Sequence, residues 1–245
     1  MDLEVIGHGP VMELRFNRPA KKNAITGAMY LTMVEAMARP DWRVLLFTAT
    51  GDIFTAGNDI KDFLTMRTLG EAPASQFIHA LARSDRPMIA AAPGPCIGIG
   101  ATLLLHCDLV YATPETSLMV PFVDLGLVPE AGSSLLLPAR IGAARASAMV
   151  LLGEPMAAAE ALQAGLVNAI VPAESLHAHA LAIATRLAAK PRAAVAASRA
   201  LMRQGRDALL AQMKLEQAAF TAALAGPESK EAFTAFLERR TPVFA

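Results

Sequence analysis

Cysteine is scarce in this chain: its 245 residues include only Cys96 and Cys107, which excludes a disulfide framework and a cysteine-rich metal site. Aromatic side chains make up 5% and charged ones 18%, and 22 basic residues offset 22 acidic ones. That balance leaves no lysine and arginine excess to hold a phosphate backbone by counterion release, so no nucleic-acid partner is expected. Long hydrophobic runs are missing too. The apolar stretches 88–95 and 103–105 are cut by Gly, Pro, His or Asp well short of a bilayer span, so no membrane association is expected. No charged segment precedes an apolar run at Met1, so no secretory signal is expected. What is present is a hydrophobic content of 54%, in a chain long enough for one large domain or a core with an appendage. Its expected location is cytoplasmic.

The pattern along the chain alternates strands and helices. Val11–Phe16 alternates apolar and polar residues, as a half-buried strand does. Turn residues and a basic cluster follow over 17–23, and Thr26 is placed to cap a helix carrying Met29, Met33, Val34 and Met37 that stops at Pro40. Residues 44–48 form an apolar run of buried-strand length, then a glycine-containing loop over 50–59 and a helix from about Ile60. A third unit places a strand at 88–92, a loop at 93–100 and a helix at 101–106, with short strands at 108–112 and 117–120. This alternation argues for an α/β protein with a largely parallel, buried sheet. After Ser133 alanine-rich helical segments dominate, over 143–152, 156–164, 175–189, 192–225 and 230–240. Pro155, Pro172, Pro191 and Pro227 stand at their boundaries. The organisation expected is a core over 1–190 and a helical region over 191–245, packed on the sheet or on another subunit.

Two glycine loops stand out as candidate chemistry. Phe54-Thr-Ala-Gly-Asn-Asp59 and Gly94-Pro-Cys-Ile-Gly-Ile-Gly100 each follow a strand and lead into a helix. Small residues there let main-chain amides approach a ligand, and two such loops facing one another can present two N–H groups to one oxygen, as an oxyanion hole does. The alternative is that both serve only tight turns. A dinucleotide fingerprint does not fit, because Leu103 occupies the place of the third glycine. Glu130 sits among small and apolar residues just before a helix. Desolvation there would make it a stronger base, although a carboxylate near a helix start also interacts with free amides. Asp59 and Asp108 read as capping or helix-end residues, and His8, His79 and His106 as surface or helix-end residues. His177 and His179 point to different helix faces, so they cannot clamp a metal. No Gly-x-Ser-x-Gly elbow is present. Arg18, Lys21, Lys22 and Lys61 form a positive cluster that either meets phosphates or is simply solvated.

Taken together, Asn17-Arg-Pro-Ala-Lys-Lys-Asn-Ala-Ile25, Phe54–Ile60, the loop ending at Gly100, Cys107–Ala112, Ala161–Val167 and the closing stretch Leu237–Phe244 resemble the enoyl-CoA hydratase/isomerase (crotonase) family. The resemblance implies an α/β crotonase-like spiral of ββα units with a C-terminal helical trimerisation region, in a homotrimer or a hexamer made of two trimers. It implies an acyl-CoA thioester as substrate, with coenzyme A part of that substrate, no separate cofactor and no metal. By position, the amides of Asn58 and Ile99 would form the oxyanion hole. Lys21, Lys22, Ala56, Gly57, Asp59, Ile60, Lys61, Gly98, Gly100 and Phe122 would line the CoA and acyl pocket.

Where the family's hydratases resemble one another in carrying two glutamates, this chain has Thr102 and Phe122. The stretch Pro121–Ser134 instead resembles the peroxisomal-type Δ3,Δ2-enoyl-CoA isomerase branch, in which the glutamate matching Glu130 is the catalytic base. The activity this implies is movement of the double bond of a 3-enoyl-CoA to the 2-trans position. Two alternatives stay open: hydration or another acyl-CoA reaction using Glu130 or Asp124 with water, and a catalytically silent subunit that binds CoA thioesters. No Ser-Lys-Leu terminus follows Phe244, in keeping with the cytoplasmic expectation.

Overall fold

A computed structural model describes residues 1–60 and 72–244. The helix expected from about Ile60, and Lys61 with it, lie outside the described residues. Six strands form the main sheet: β1 (Leu3–His8), β2 (Val11–Phe16), β3 (Val44–Ala49), β4 (Met88–Ala92), β6 (Leu109–Ala112) and β9 (Ala169–Ile170), hydrogen-bonded in the order β1-β2-β3-β4-β6-β9. β1 and β2 form an antiparallel hairpin, and the remaining neighbours run parallel. A smaller sheet has the order β5-β7-β8, from Pro95–Ile97, Ser117–Met119 and Met156–Ala157.

Both faces of the main sheet are covered. On one face Met12, Leu14 and Phe16 of β2 join Leu45, Phe47, Met88 and Ala90 in the principal core, with Met29, Met33 and Met37 of helix α1 (Gly27–Ala38) and Phe77 and Leu81 of α2 (Pro73–Arg83). α1 is capped by Thr26, whose hydroxyl accepts from the Met29 N–H at 3.3 Å. On the other face Val11, Val44, Leu46, Ile89 and Ala91 meet α7 (Ala173–Ala188), which lays down Leu176, Ala180, Ala184 and Ala188 at four-residue spacing. The remaining helices are α3 (Ile99–Leu104), α4 (Ser133–Ile141), α5 (Ala143–Leu151), α6 (Ala158–Gln163), α8 (Arg192–Met202), α9 (Arg206–Ala225) and α10 (Pro227–Glu238). Met213, Phe220 and Phe233 belong to the principal core, so the C-terminal helices pack on the same interior as the sheet.

The helix expected over 192–225 is two, broken at Gly205, which adopts φ +100°. The segment read as helical from Met156 begins as β8, and β1 was not anticipated. β2 is not half-buried, because α7 covers its second face. That covering leaves Glu13 fully buried.

Glu13 is satisfied there by four donors: Thr48 Oγ1 at 2.6 Å, His8 Nε2 at 2.7 Å, Arg15 Nε at 2.9 Å and His177 Nε2 at 3.0 Å. Burial alone would raise its pKa, but the bonds from Thr48, Arg15, His8 and His177 outweigh it and hold the carboxyl at about 2. A carboxyl whose folded pKa is depressed stabilises the fold above its unfolded pKa and loses that contribution as pH falls. Stability should therefore drop between about pH 4.5 and pH 2, by on the order of 3 kcal/mol from this group. Glu13→Ala should lose about 3–5 kcal/mol at neutral pH and flatten that acid dependence, as read by denaturant titration across the range.

Candidate active site

The two glycine loops meet. Residue 25 bridges Asn58 and Thr55 bridges Cys96, both in parallel sense, so the loop after β3 is threaded between the β2–α1 connection and β5. The Ile25 N–H donates to the Gly57 carbonyl at 2.8 Å and the Asp59 N–H to the Ile25 carbonyl at 2.9 Å. In this alternating pattern the intervening Asn58 N–H is left over. The Ile99 N–H opens α3, where no preceding helical carbonyl can reach it. Among the described residues neither N–H has an acceptor, and both residues line one cavity of about 420 Å³. Ala56, Gly57, Ile60, Lys22, Gly98 and Phe122 line it as well, and Phe220, Phe233 and Phe236 close it from the C-terminal helices.

Tyr30 of α1, which the sequence reading passed over, orients the first loop. Its hydroxyl donates to Asn58 Oδ1 at 2.5 Å. Burial raises its pKa well above the ordinary tyrosine value, and the nearby Glu130 adds to this, so it stays a neutral donor.

Glu130 lies apart from that cavity. With 8% of its surface exposed, it lines a neighbouring cavity of about 30 Å³ together with Ser75, His79, Glu216 and Gln217, and Phe220 borders both spaces. Its Oε1 is buried without a hydrogen-bond partner, and so is Thr102 Oγ1 beside it. Burial pushes Glu130 up to about 8, with the Glu216 carboxylate adding to the rise and the Thr102 hydroxyl opposing it. A carboxyl in that state takes and gives a proton near neutral pH.

Other expected residues stand elsewhere. Asp59 does not line the cavity; its carboxylate pairs with Arg18 at 2.7 Å. Lys21 is exposed away from the lining, and Gly100 serves contact, since a Cβ there would lie 2.6 Å from Thr55 Cγ2. His106 is buried, not a surface residue, and donates through Nε2 to the Ala131 carbonyl at 2.8 Å. Among the described residues no group of three or more His, Cys, Asp or Glu could hold a metal ion, and no helix is long and apolar enough to cross a membrane.

Two unpaired amides over an apolar cavity, with a buried carboxyl beyond it, make a site able to polarise a carbonyl and exchange a proton with its neighbours. The chain belongs to the enoyl-CoA hydratase/isomerase family, whose profile matches residues 7–245. It is 35% identical to enoyl-CoA delta isomerase 2 of Rattus norvegicus over 178 residues, 69% of this chain and 46% of that protein. It thus spans under half the length of that relative. It is 34% identical to 2,3-dehydroadipyl-CoA hydratase of Escherichia coli over 242 residues, 96% of this chain and 94% of that one. The solved enoyl-CoA hydratase/isomerase of Pseudoalteromonas atlantica superposes with a TM-score of 0.95 at 39% identity, over 100% of both chains. The crotonase-like fold is therefore the fold of this chain.

The loop geometry makes a graded prediction. Gly57 has φ +88° and a Cβ there would sit 2.9 Å from the Ile97 carbonyl oxygen, whereas Gly98, at φ +57°, faces open space. Gly57→Ala should cost about 2–3 kcal/mol through strain and contact together, and Gly98→Ala about 1–2 kcal/mol through backbone conformation alone. Thermal denaturation of the two variants side by side reads the difference.

Proposed function

We propose that the protein isomerises 3-enoyl-CoA thioesters to 2-trans-enoyl-CoA. The observation that carries this reading is Glu130, a buried carboxyl with a proton affinity near neutrality, in a chain with Thr102 and Phe122 where two-glutamate hydratases carry acids. Isomerisation removes a proton at C2 and delivers one at C4, with no water consumed. Both carbons belong to one short stretch of acyl chain, so one carboxylate serves as base and then as acid. The thioester oxygen becomes negative in the dienolate between the two steps. The Asn58 and Ile99 amides would receive it, and a single such donor contributes about 3–4 kcal/mol. The acyl chain would pass Phe220 from the larger cavity toward Glu130, in surroundings that keep water away from the carbanion.

Lys22 at the cavity edge is the described cation available to the CoA phosphates. Coenzyme A enters as part of the substrate, with no further cofactor. Exposed apolar side chains at Leu151, Leu152, Leu201, Met202 and Leu215 support assembly into a trimer or a hexamer, and a cytoplasmic location accords with this reading. Hydration is the second reading, favoured by the hydratase relative that aligns over nearly its full length.

Assays with 3-enoyl-CoA and 2-enoyl-CoA should show conversion of the first and no hydration of the second. Glu130→Gln should slow isomerisation by on the order of 10²–10⁴-fold. Because the base must be deprotonated, kcat/KM should rise with pH through about 8 and level off above it. Untouched 3-enoyl-CoA, or a Gln variant as fast as wild type, defeats the reading. Hydration of 2-enoyl-CoA promotes the second, and tight thioester binding without turnover a binding role.

A further inference from the structure

Glu130 is followed by a short, unusual piece of backbone. Ala131 and Gly132 both take left-handed conformations, φ +58° and +72°, before α4 begins at Ser133. The Ser133 N–H turns back to the Glu130 carbonyl at 2.9 Å, and the flanking N–H groups of Gly132 and Ser134 find no partner in the turn itself. Their partner comes from α9, more than eighty residues away in sequence. Glu216 accepts from the Gly132 N–H at 2.6 Å through Oε2, and from the Ser134 N–H at 3.0 Å and the Ser134 hydroxyl at 2.5 Å through Oε1. The same glutamate lines the small cavity that Glu130 lines.

We propose that Glu216 is a positioning residue for Glu130: it fastens the turn behind that carboxyl and sets a negative charge across the cavity from it. The role rests on Glu130 as the proton-transferring group of the proposed isomerisation, but the contacts stand whatever the reaction.

The order of protonation follows from the donors. Burial raises Glu216 above the ordinary glutamate value, but it accepts two main-chain N–H groups and a hydroxyl, which need an acceptor and oppose that rise by favouring its ionised form. Glu130 has no N–H donor, so it takes up the first proton of the pair. The other titratable groups facing the two are neutral near pH 7–8. His79 of α2 is held below its ordinary range by burial and by Arg83 and Lys214 beyond it. Burial brings His106, behind Ala131, down to about 4, and keeps the Tyr30 hydroxyl of α1 protonated. Among the described residues lining the cavity, Glu216 therefore brings the one formal charge that Glu130 meets. Replacing that charge by an amide, which still offers an oxygen to the turn, should make Glu130 easier to ionise.

The test is the titration of Glu130 itself, followed by the infrared band of its protonated carboxyl and assigned by loss of that band in Glu130→Gln. In wild type the midpoint should lie near 8, and the curve should be broader than a single-site titration because Glu216 titrates against it. In Glu216→Gln the midpoint should fall by about one unit, and the acid limb of kcat/KM should move with it. Restored length without charge separates charge from scaffold, so Glu216→Ala should lower the melting temperature more than Glu216→Gln does. A folded Glu216→Gln protein with an unmoved midpoint overturns the proposal. So does a wild-type curve that is single-site and in the ordinary carboxylate range, a measurement that needs no variant at position 216 to fold. A shifted midpoint in a protein that leaves 3-enoyl-CoA untouched removes the isomerase reading and leaves the role of Glu216 standing.

Discussion

The side-chain amide of Asn23 donates to the carbonyls of Thr50 at 2.9 Å and Ile53 at 2.8 Å and accepts from the Arg18 N–H at 2.8 Å. Its own carbonyl accepts from the Thr55 hydroxyl at 2.7 Å. These four bonds tie together two irregular segments, one after β2 and one after β3, that have no sheet ladder of their own. Asn23 is fully buried with φ +54°, a conformation asparagine tolerates better than most residues. An apolar side chain there would leave a part-buried N–H and two part-buried carbonyls without these partners, at up to about 1–3 kcal/mol for each group. Everything downstream depends on this knot. The bridges from residue 25 to Asn58 and from Thr55 to Cys96 continue it into β5, and β5 delivers the chain to Ile99.

A second constraint acts on the carboxyl side of the site. Withdrawing Glu130 from water without a donor is costly for its ionised form, and the group answers by holding its proton more tightly. Such a residue persists only where its surroundings leave it no other conformation. Here they do: Ser133 returns its N–H and hydroxyl to the Glu130 carbonyl at 2.9 and 2.6 Å, His106 holds the Ala131 carbonyl, and Glu216 holds Gly132 and Ser134. The turn after Glu130 is pinned by several bonds while its side-chain Oε1 has none. Stability is placed in the frame, and the carboxyl oxygen is left without a partner.

The fold was legible wherever a local pattern had one physical cause. Thr26 capped α1 as expected, and the apolar runs at 44–48 and 88–92 became β3 and β4 because a sheet covered on both faces demands continuous hydrophobic strands. The pattern misled where a distant element decided the outcome. Glu13 looked solvent-facing until α7 closed over it, and the alanine-rich stretch after Arg192 read as unbroken because its one local breaker, Gly205 at φ +100°, was outweighed by the helix-forming residues on either side. In the site, glycine loops and a glutamate among small residues were visible, and the resemblance gave them roles. Tyr30 and Glu216 were not, because each is an unremarked residue on a helix face whose partner lies far along the chain. Only a three-dimensional register brings them to Asn58 and Gly132.

Asp124 shows why residue type alone does not define the base. It lines the larger cavity, as Asn58 and Ile99 do, and so looks as well placed as Glu130. Yet it is exposed, so water already solvates its oxygens and would compete for any proton it took from carbon. Glu130 is farther from that cavity but dry, and a dry carboxylate is the stronger base. The balance between isomerisation and hydration follows from the same contrast. Hydration needs a water held and oriented by two polar groups, whereas the cavity that the two amides line is walled by Phe122, Leu127 and Phe220, the last of which also borders the space around Glu130. With Thr102 as the polar neighbour of Glu130 and no second buried acid on the amide side among the described residues lining that cavity, the proposed reaction would have one proton carrier. A single carrier suits a reaction in which the proton leaves one carbon and returns to another two positions along the chain.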